Sequence, residues 1–138
     1  MSPEHVVRAW FRRVWEQGEE AAIDELLAPT AIAHGLPTPD GRAMIGPEAF
    51  KPFFRSFRSA FSDLRVAVTH AATEGTLCAV RCEVSGVHSG DGLGIPASGR
   101  PVAFSGMTFV RVEGGQIQEG WNSYDFLDLY RQLGIVAI

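Results

Sequence analysis

Near its C-terminal end the chain reads EGWNSYDFLDLYRQLG, from Glu119 to Gly134, and within it a strand pattern changes into a helix pattern. Asp125 lies at the junction. A carboxylate at the end of a strand could point into an apolar cavity, where it would hold its proton more tightly and act as an acid or base at neutral pH. Asp is equally a favoured helix N-cap, and apolar helix residues follow it directly. The local pattern leaves both interpretations open.

Upstream of this stretch the residues alternate between apolar and polar, which predicts a series of β-strands. The dipeptides Glu74-Gly75 and Gly114-Gly115 are typical of tight turns, and a glycine-rich loop covers residues 89–100. Because short turns join antiparallel neighbours, we expect an antiparallel sheet. The predicted strands start at Leu64 and then cover residues 76–88, 102–112 and 117–124.

In the first part of the chain apolar residues recur every three or four positions, which predicts helices. This order of predicted elements, with helices first, then antiparallel hairpins and a closing helix, is typical of an α+β fold. We therefore predict one domain over residues 1–138, in which a long, curved antiparallel sheet forms a cone over the N-terminal helices and leaves an apolar pocket inside. The three predicted N-terminal helices run from Pro3 to Gly18, from Glu19 to Leu27, and from just after Gly46 to Ser62-Asp63.

The composition is typical of a globular protein, with 46 % hydrophobic and 20 % charged residues among 138. The formal net charge of −4 argues against a nucleic-acid or acidic-membrane partner. The N-terminus lacks the apolar run of a signal peptide, and no segment has the length of a membrane span. We therefore expect a cytoplasmic protein.

The two cysteines, Cys78 and Cys82, fall on the same face of one predicted strand. Four strand residues separate their Cα atoms by roughly 13 Å, whereas a disulfide needs less than about 7 Å. We therefore expect two reduced, buried thiols. The same geometry argues against a metal site built on them.

The candidate chemistry is acid/base catalysis, because the chain has neither a phosphate-binding glycine loop after a strand nor a nucleophilic serine motif. His34 lies among apolar residues after the second predicted helix, and His88 ends a long strand where the glycine-rich loop begins. Each imidazole could serve a pocket or fill a structural position. Met107, Phe53 and Phe57 are interpreted as core residues that could also form a pocket wall.

Three passages resemble the SnoaL-like polyketide cyclases, or ester cyclases, of the NTF2-like superfamily. The correspondence that they mark follows the order of that family and covers nearly the whole chain. The passages are Gly86 to Gly90 with Gly94-Ile95-Pro96 and Gly99 to Val102; Trp121 with Asp125 and Gln132-Leu133-Gly134; and Ala60 to Leu64.

The resemblance implies an NTF2-like (cystatin-like) cone, usually a homodimer, that binds a hydrophobic aromatic or polyketide-like small molecule. It implies a cyclase or isomerase, lyase-like, that uses neither cofactor nor metal. Asp125 would be the general acid/base of an intramolecular aldol ring closure, with His34 and His88 facing the pocket. Some members carry an acid directly after the Trp, where this chain has Asn122. The predicted substrate contacts are Trp121, Asn122, Tyr124, Met107, Phe53 and Phe57.

Such chemistry is physically coherent without a metal. A carbon between a ketone and an ester is already acidic, so a carboxylate such as Asp125 can remove its proton, and positioning in a dry pocket supplies much of the acceleration. The accepting carbonyl becomes an alkoxide and needs a hydrogen-bond donor, for which His34 and Tyr124 are candidates.

Other activities stay open on the same scaffold. The protein could bind a small molecule without catalysis, act as an isomerase, or take part in polyketide hydroxylation. Epoxide hydrolysis ranks last, because it would need a second carboxylate beside Asp125 and the sequence offers none that is evident.

Overall fold

The computed structural model describes residues 2–137. Over these residues the chain forms four α-helices, one π-helical segment and six β-strands. The helices are α1 (Pro3–Ala9), α2 (Glu20–Leu26), α3 (Gly46–Ala60) and α4 (Phe126–Gln132), and the π-helical segment is Trp10–Glu16. The strands are β1 (Leu27–His34), β2 (Met44–Ile45), β3 (Phe61–Glu74), β4 (Leu77–His88), β5 (Pro101–Glu113) and β6 (Gln116–Tyr124).

The first predicted helix is present, but its second half is wound as a π-helix. Its start is capped, since Ser2 Oγ accepts the backbone N–H of His5 at 3.2 Å. At the other end Arg58 Nη1 donates to the carbonyl of Trp15 at 2.5 Å and to that of Glu16 at 3.1 Å. This guanidinium therefore satisfies two of the carbonyls that the end of a helix leaves without partners.

The strands form one sheet in the order β2-β1-β6-β5-β4-β3. Strands β3 to β6 pair antiparallel in series, as the sequence predicts. Strand β1 pairs parallel with β6, which the expectation of a wholly antiparallel sheet missed. A parallel pair needs a long connection, and here the whole segment from β2 to β5 provides it. The result is the predicted α+β arrangement, with the helices on the concave face.

The third helix ends at Ala60, earlier than the predicted boundary at Ser62-Asp63. Phe61 is already extended and begins β3. The strand register shifts directly after Ser62, and Asp63 has a φ of 52°, in the left-handed region that Asp tolerates better than most residues. This irregularity interrupts the alternation of the strand, so the sequence pattern becomes visible only from Leu64.

The core lies between the helices and the concave face of the sheet. Cys78 and Cys82 both point into it from β4 and are buried, as predicted. The opposite, outer face of the sheet carries several large exposed apolar side chains. Met107 is one of them, with 60 % of its surface exposed, so its interpretation as a core or pocket residue was wrong: the pleat of β5 directs it outward.

Candidate functional site

An apolar cavity lies between the helices and the concave face of the sheet. Aromatic side chains dominate its wall, and two of the predicted contacts, Phe53 and Phe57, are among them. Although 22 residues line the cavity, the centre of a water molecule can occupy only about 90 Å³ of it. The cavity is therefore narrow for its extent. Its aromatic lining residues are Trp10, Phe11, Trp15, Phe50, Phe53, Phe57, Phe104, Tyr124 and Phe126.

Three polar side chains interrupt this wall and are connected through Thr108. Thr108 from β5 and Asn122 and Tyr124 from β6 all line the cavity. Thr108 Oγ1 lies 3.1 Å from Asn122 Oδ1 and 3.1 Å from Tyr124 Oη. We call these three residues the polar cluster. It forms because β5 and β6 are antiparallel neighbours in which Thr108 pairs with Asn122.

The direction of the hydrogen bonds in the polar cluster follows from its chemistry. Asn122 Nδ2 donates to the backbone carbonyl of His34 at 2.9 Å, which fixes the amide orientation because a carbonyl cannot donate. Asn122 Oδ1 must then accept the single proton of Thr108. Thr108 Oγ1 is left as an acceptor for the phenol of Tyr124. The cluster is thus a directed chain from the phenol to the β1 backbone.

Tyr124 holds its proton firmly in this position. Burial raises the pKa of its phenol well above the ordinary value of 10.0. Burial likewise raises the pKa of the neighbouring Cys82 thiol. The Tyr124 ring packs directly over Gly106, where an added Cβ would lie 2.2 Å from the ring carbon Cδ1. Tyr124 is therefore a neutral hydrogen-bonding group at physiological pH, held by a close backbone contact.

Asp125 lies outside the cavity lining, between two residues that belong to it, Tyr124 and Phe126. It is exposed and caps α4: its Oδ1 accepts the backbone N–H of Asp128 at 3.0 Å. The N-cap interpretation is therefore confirmed. A carboxylate has two oxygens, so this contact alone does not occupy the group, and the catalytic role of Asp125 stays a prediction.

The side chains of His34 and Trp121 lie together on the outer face of the sheet. Their rings stack with centroids 5.7 Å apart and planes inclined by 16°. His34 Nε2 lies 2.7 Å from Glu119 Oε2, and Glu119 Oε1 lies 3.7 Å from Arg111 Nη2. Neither ring is part of the cavity lining. The contribution of His34 to the cavity is its backbone carbonyl, which holds the Asn122 amide.

His88 is fully buried, but it also lies outside the cavity lining. Its Nδ1 accepts the backbone N–H of Ser98 at 3.2 Å and lies 2.9 Å from the Ser98 hydroxyl. These contacts tie the loop over residues 89–100 to the end of β4. Its Nε2 has no hydrogen-bond partner among the described residues. The observed contacts of this imidazole are structural.

The sequence predicted four of the residues that line the cavity, namely Phe53, Phe57, Asn122 and Tyr124. It missed Thr108, which is only 4 % exposed. A threonine at an inward position of a strand whose other inward residues are apolar is a detectable sign of a buried hydrogen-bond network. Within residues 2–137 no group of three or more His, Cys, Asp or Glu side chains is arranged to hold a metal ion. None of the described helices is long and apolar enough to cross a membrane.

Fold and cavity together define an α+β protein whose curved sheet and helices enclose a narrow aromatic site. The sequence model of the SnoaL-like polyketide cyclases matches residues 5–133. The chain belongs to this family.

Individual relatives agree with this assignment. Aklanonic acid methyl ester cyclase DauD of Streptomyces sp. (strain C5) is 29 % identical over 140 residues, which cover 97 % of this chain and 83 % of that protein. Aklanonic acid methyl ester cyclase DnrD of Streptomyces peucetius is 31 % identical over 111 residues, covering 80 % and 72 %. The crystal structure of wild-type IdmH from Streptomyces antibioticus superposes with a TM-score of 0.83 at 27 % identity, covering 97 % of this chain and 99 % of that one.

Proposed function

We propose that this protein is a polyketide ester cyclase that closes a carbocyclic ring by an intramolecular aldol addition inside the aromatic cavity. The observation that supports the proposal most strongly is the polar cluster, because it is the hydrogen-bonding part of an otherwise apolar wall. An aromatic polyketide ester offers flat apolar surface for the wall and a few oxygens for the cluster. The names of the two curated relatives point to the same substrate class, a methyl ester.

The reaction needs a base, an acceptor carbonyl and a proton for the product. The base removes a proton from the carbon between a ketone and the ester, and this carbon attacks a second carbonyl to form the new C–C bond. The carbonyl oxygen takes up the negative charge and is protonated to a hydroxyl. No atom is lost, so substrate and product have the same mass.

Asp125 is our candidate for the base. It lies between the cavity residues Tyr124 and Phe126, and its capping contact uses Oδ1. Its Oδ2 would accept the substrate proton. Because the substrate carbon is already acidic, a carboxylate that reaches it would be a sufficient base, and the cavity would contribute by positioning the two reacting carbons.

The polar cluster is our candidate for binding the oxygen that becomes negative. Tyr124 keeps its proton because burial raises its pKa; this proton would turn from Thr108 to the substrate oxygen when the ligand binds. Donors fixed in a site that excludes water stabilise a developing oxyanion more effectively than water does. On this proposal the imidazoles of His34 and His88 support the site without contacting the substrate.

The test is incubation of the purified protein with aklanonic acid methyl ester, with liquid chromatography and mass spectrometry of the mixture. We expect a product of unchanged mass and altered retention time, formed in proportion to protein concentration. Boiled protein is the control. The absence of any protein-dependent product with this ester and with related aromatic polyketide esters would contradict the proposal.

A second candidate function is binding without catalysis. It is favoured by one specific observation: the described lining contains neither a carboxylate nor an imidazole side chain. The same incubation distinguishes the two functions. If the protein only binds the ester, the bound ester quenches the tryptophan fluorescence and no product forms. Trp10 and Trp15, which line the cavity, are the reporters.

We also propose that the protein acts as a homodimer through the outer face of its sheet. Met107, Phe109 and Trp121, which we call the outer apolar patch, are 60 %, 56 % and 40 % exposed and lie on neighbouring strands. Around the patch, Arg81 pairs with Glu83 and Arg111 contacts Glu113. Opposite charges that alternate along a strand suit a second copy of the same face, which would present Glu to Arg across a two-fold axis.

A further inference from the structure

Gly120 occupies an unusual position for a glycine. It lies in the middle of β6, pairs with Val110 on one side and with Ala33 on the other, and lines the cavity. Glycine in the interior of a strand weakens it, since it has no side chain to pack and loses more backbone freedom on folding than other residues. A glycine at position 120 therefore needs a specific structural or functional explanation.

The usual backbone reasons do not apply to Gly120. Gly120 does not have a positive φ, so a side chain at this position would cause no backbone strain. The register shift between β5 and β6 lies between Arg111 and Val112, and Gly120 itself pairs regularly. An added Cβ would meet Asn122 Nδ2 at 3.8 Å and the backbone oxygen of Phe109 at 3.9 Å, which are ordinary contacts. No neighbouring backbone excludes a side chain here.

Gly106, which lies four residues along β5 from the partner of Gly120, shows the contrast. A Cβ at Gly106 would lie 2.2 Å from the ring of Tyr124, so packing within the protein explains that glycine. At Gly120 the protein leaves the equivalent space empty, and this space opens into the cavity next to the Asn122 amide. Among the reasons for a glycine inside a strand, the close approach of a ligand accounts for a free space that opens into the cavity.

We propose that Gly120 is a specificity-determining residue whose missing side chain makes room for a flat aromatic ring of the ligand. The ring lies against the β6 backbone at Gly120, and an oxygen at its edge reaches the polar cluster at Asn122. The narrowness of the cavity agrees with a planar ligand. This inference rests on the proposed function, because it assumes that the cavity is where the polyketide binds.

The test uses Gly120→Ala and Gly120→Val, which add side chains of increasing size. The matched controls are Ser123→Ala and Ser123→Val, because Ser123 lies on the same strand but on the exposed outer face. Each variant is measured for its melting temperature and for binding of aklanonic acid methyl ester by tryptophan fluorescence. The two readouts separate a ligand space from a structural glycine.

We expect Gly120→Ala to raise the melting temperature by roughly 2–5 °C, because it removes the cost of a strand glycine without a clash. We expect it to weaken binding by at least about threefold, and Gly120→Val by at least about tenfold, since a group placed in a fitted site forces rearrangement. The Ser123 variants should bind as the wild type does.

The opposite pattern would overturn the inference. If Gly120→Val binds the ester as tightly as the wild type, the ligand does not use this space. If Gly120→Ala melts at a lower temperature than the wild type, the glycine is structural. A wild type that binds the ester without converting it contradicts the proposed cyclase activity but leaves the role of Gly120 standing, whereas a wild type that binds neither this ester nor related aromatic polyketide esters overturns both.

Discussion

Asp125 accepts the backbone N–H of Asp128 at 3.0 Å through Oδ1, and this contact closes the first turn of α4. The same residue separates Tyr124 and Phe126, both of which line the cavity. The Asp125 carboxylate itself is exposed and lies outside the cavity lining, at the start of the helix. The observed capping role uses Oδ1 and the proposed catalytic role would use Oδ2, so substitution can separate them.

Asp125→Asn should lower the rate of ester cyclisation by at least about a hundredfold, the lower size of a general-base contribution. It should leave the melting temperature nearly unchanged, because Asn is as good an N-cap as Asp. The measurements are turnover by chromatography and thermal unfolding by circular dichroism. Asp40→Asn is the control, since Asp40 also accepts a backbone N–H, from Arg42 in an exposed loop.

Asp125→Ala completes this test. It removes the cap as well as the carboxylate and should reduce the free energy of unfolding by about 1 kcal/mol. Full activity of Asp125→Asn on a confirmed substrate would show that Asp125 is only a cap. Asn122 and Tyr124 would then be the residues to examine as proton-transfer groups.

Thr108→Val should reduce turnover by roughly tenfold and the free energy of unfolding by about 1 kcal/mol, because it removes the hydroxyl that joins Asn122 to Tyr124 and leaves their polar atoms without a partner. Thr108→Ser keeps the hydroxyl and should restore most of the turnover. Thr73→Val, at an exposed position of β3, controls for the substitution itself. Equal losses in the Val and Ser variants would mean that the methyl group, rather than the hydrogen bonds, matters.

The stability of the protein should fall steeply at alkaline pH through Tyr124. Burial raises the pKa of its phenol, so the folded protein keeps a proton that the unfolded chain begins to lose near pH 10. The stabilisation that comes from the protonated Tyr124 phenol is fully present below pH 10. Above pH 10 the free energy of unfolding decreases by up to about 1.4 kcal/mol per pH unit for this one group. The buried Cys82 thiol, whose pKa is also raised, adds to the fall in the same direction.

Tyr124→Phe should reduce the rate at which the free energy of unfolding falls with pH above pH 10, whatever its effect on stability at neutral pH. Urea unfolding at pH 8, 10 and 11 measures it, with Tyr130→Phe as the control in the closing helix α4. A slope that is the same in Tyr124→Phe and in the wild type would mean that the phenol is open to water.

Phe109→Glu should convert the proposed homodimer into a monomer, because it places a charge in the middle of the outer apolar patch. Light scattering at micromolar concentration measures the mass. Ala21→Glu adds the same charge to an exposed position of α2 and should leave the dimer intact. A monomeric wild type at these concentrations would rule out the stable dimer that we propose.

Much of the architecture could be predicted because it depends on local periodicity. In α3 the phenylalanine residues recur at helical spacing. In β4 buried and more exposed residues alternate so strictly that the buried positions of Cys78 and Cys82 were evident. The parallel pairing of β1 with β6 was not predictable in this way. It joins residues about 90 positions apart, and a strand pattern does not specify its distant neighbour.

The sequence by itself determined the α+β class, the order of elements and the family, because each depends on patterns within a few dozen residues. It also determined that Asp125 would begin a helix. Only the tertiary structure decided which side chains meet. The register of β5 against β6 brings Thr108 to Asn122 and Tyr124, and the pleat sends Met107 and Trp121 to the outer face. Contacts of this kind arise from pairing between strands, and a side chain's direction is set by that pairing rather than by its neighbours along the chain.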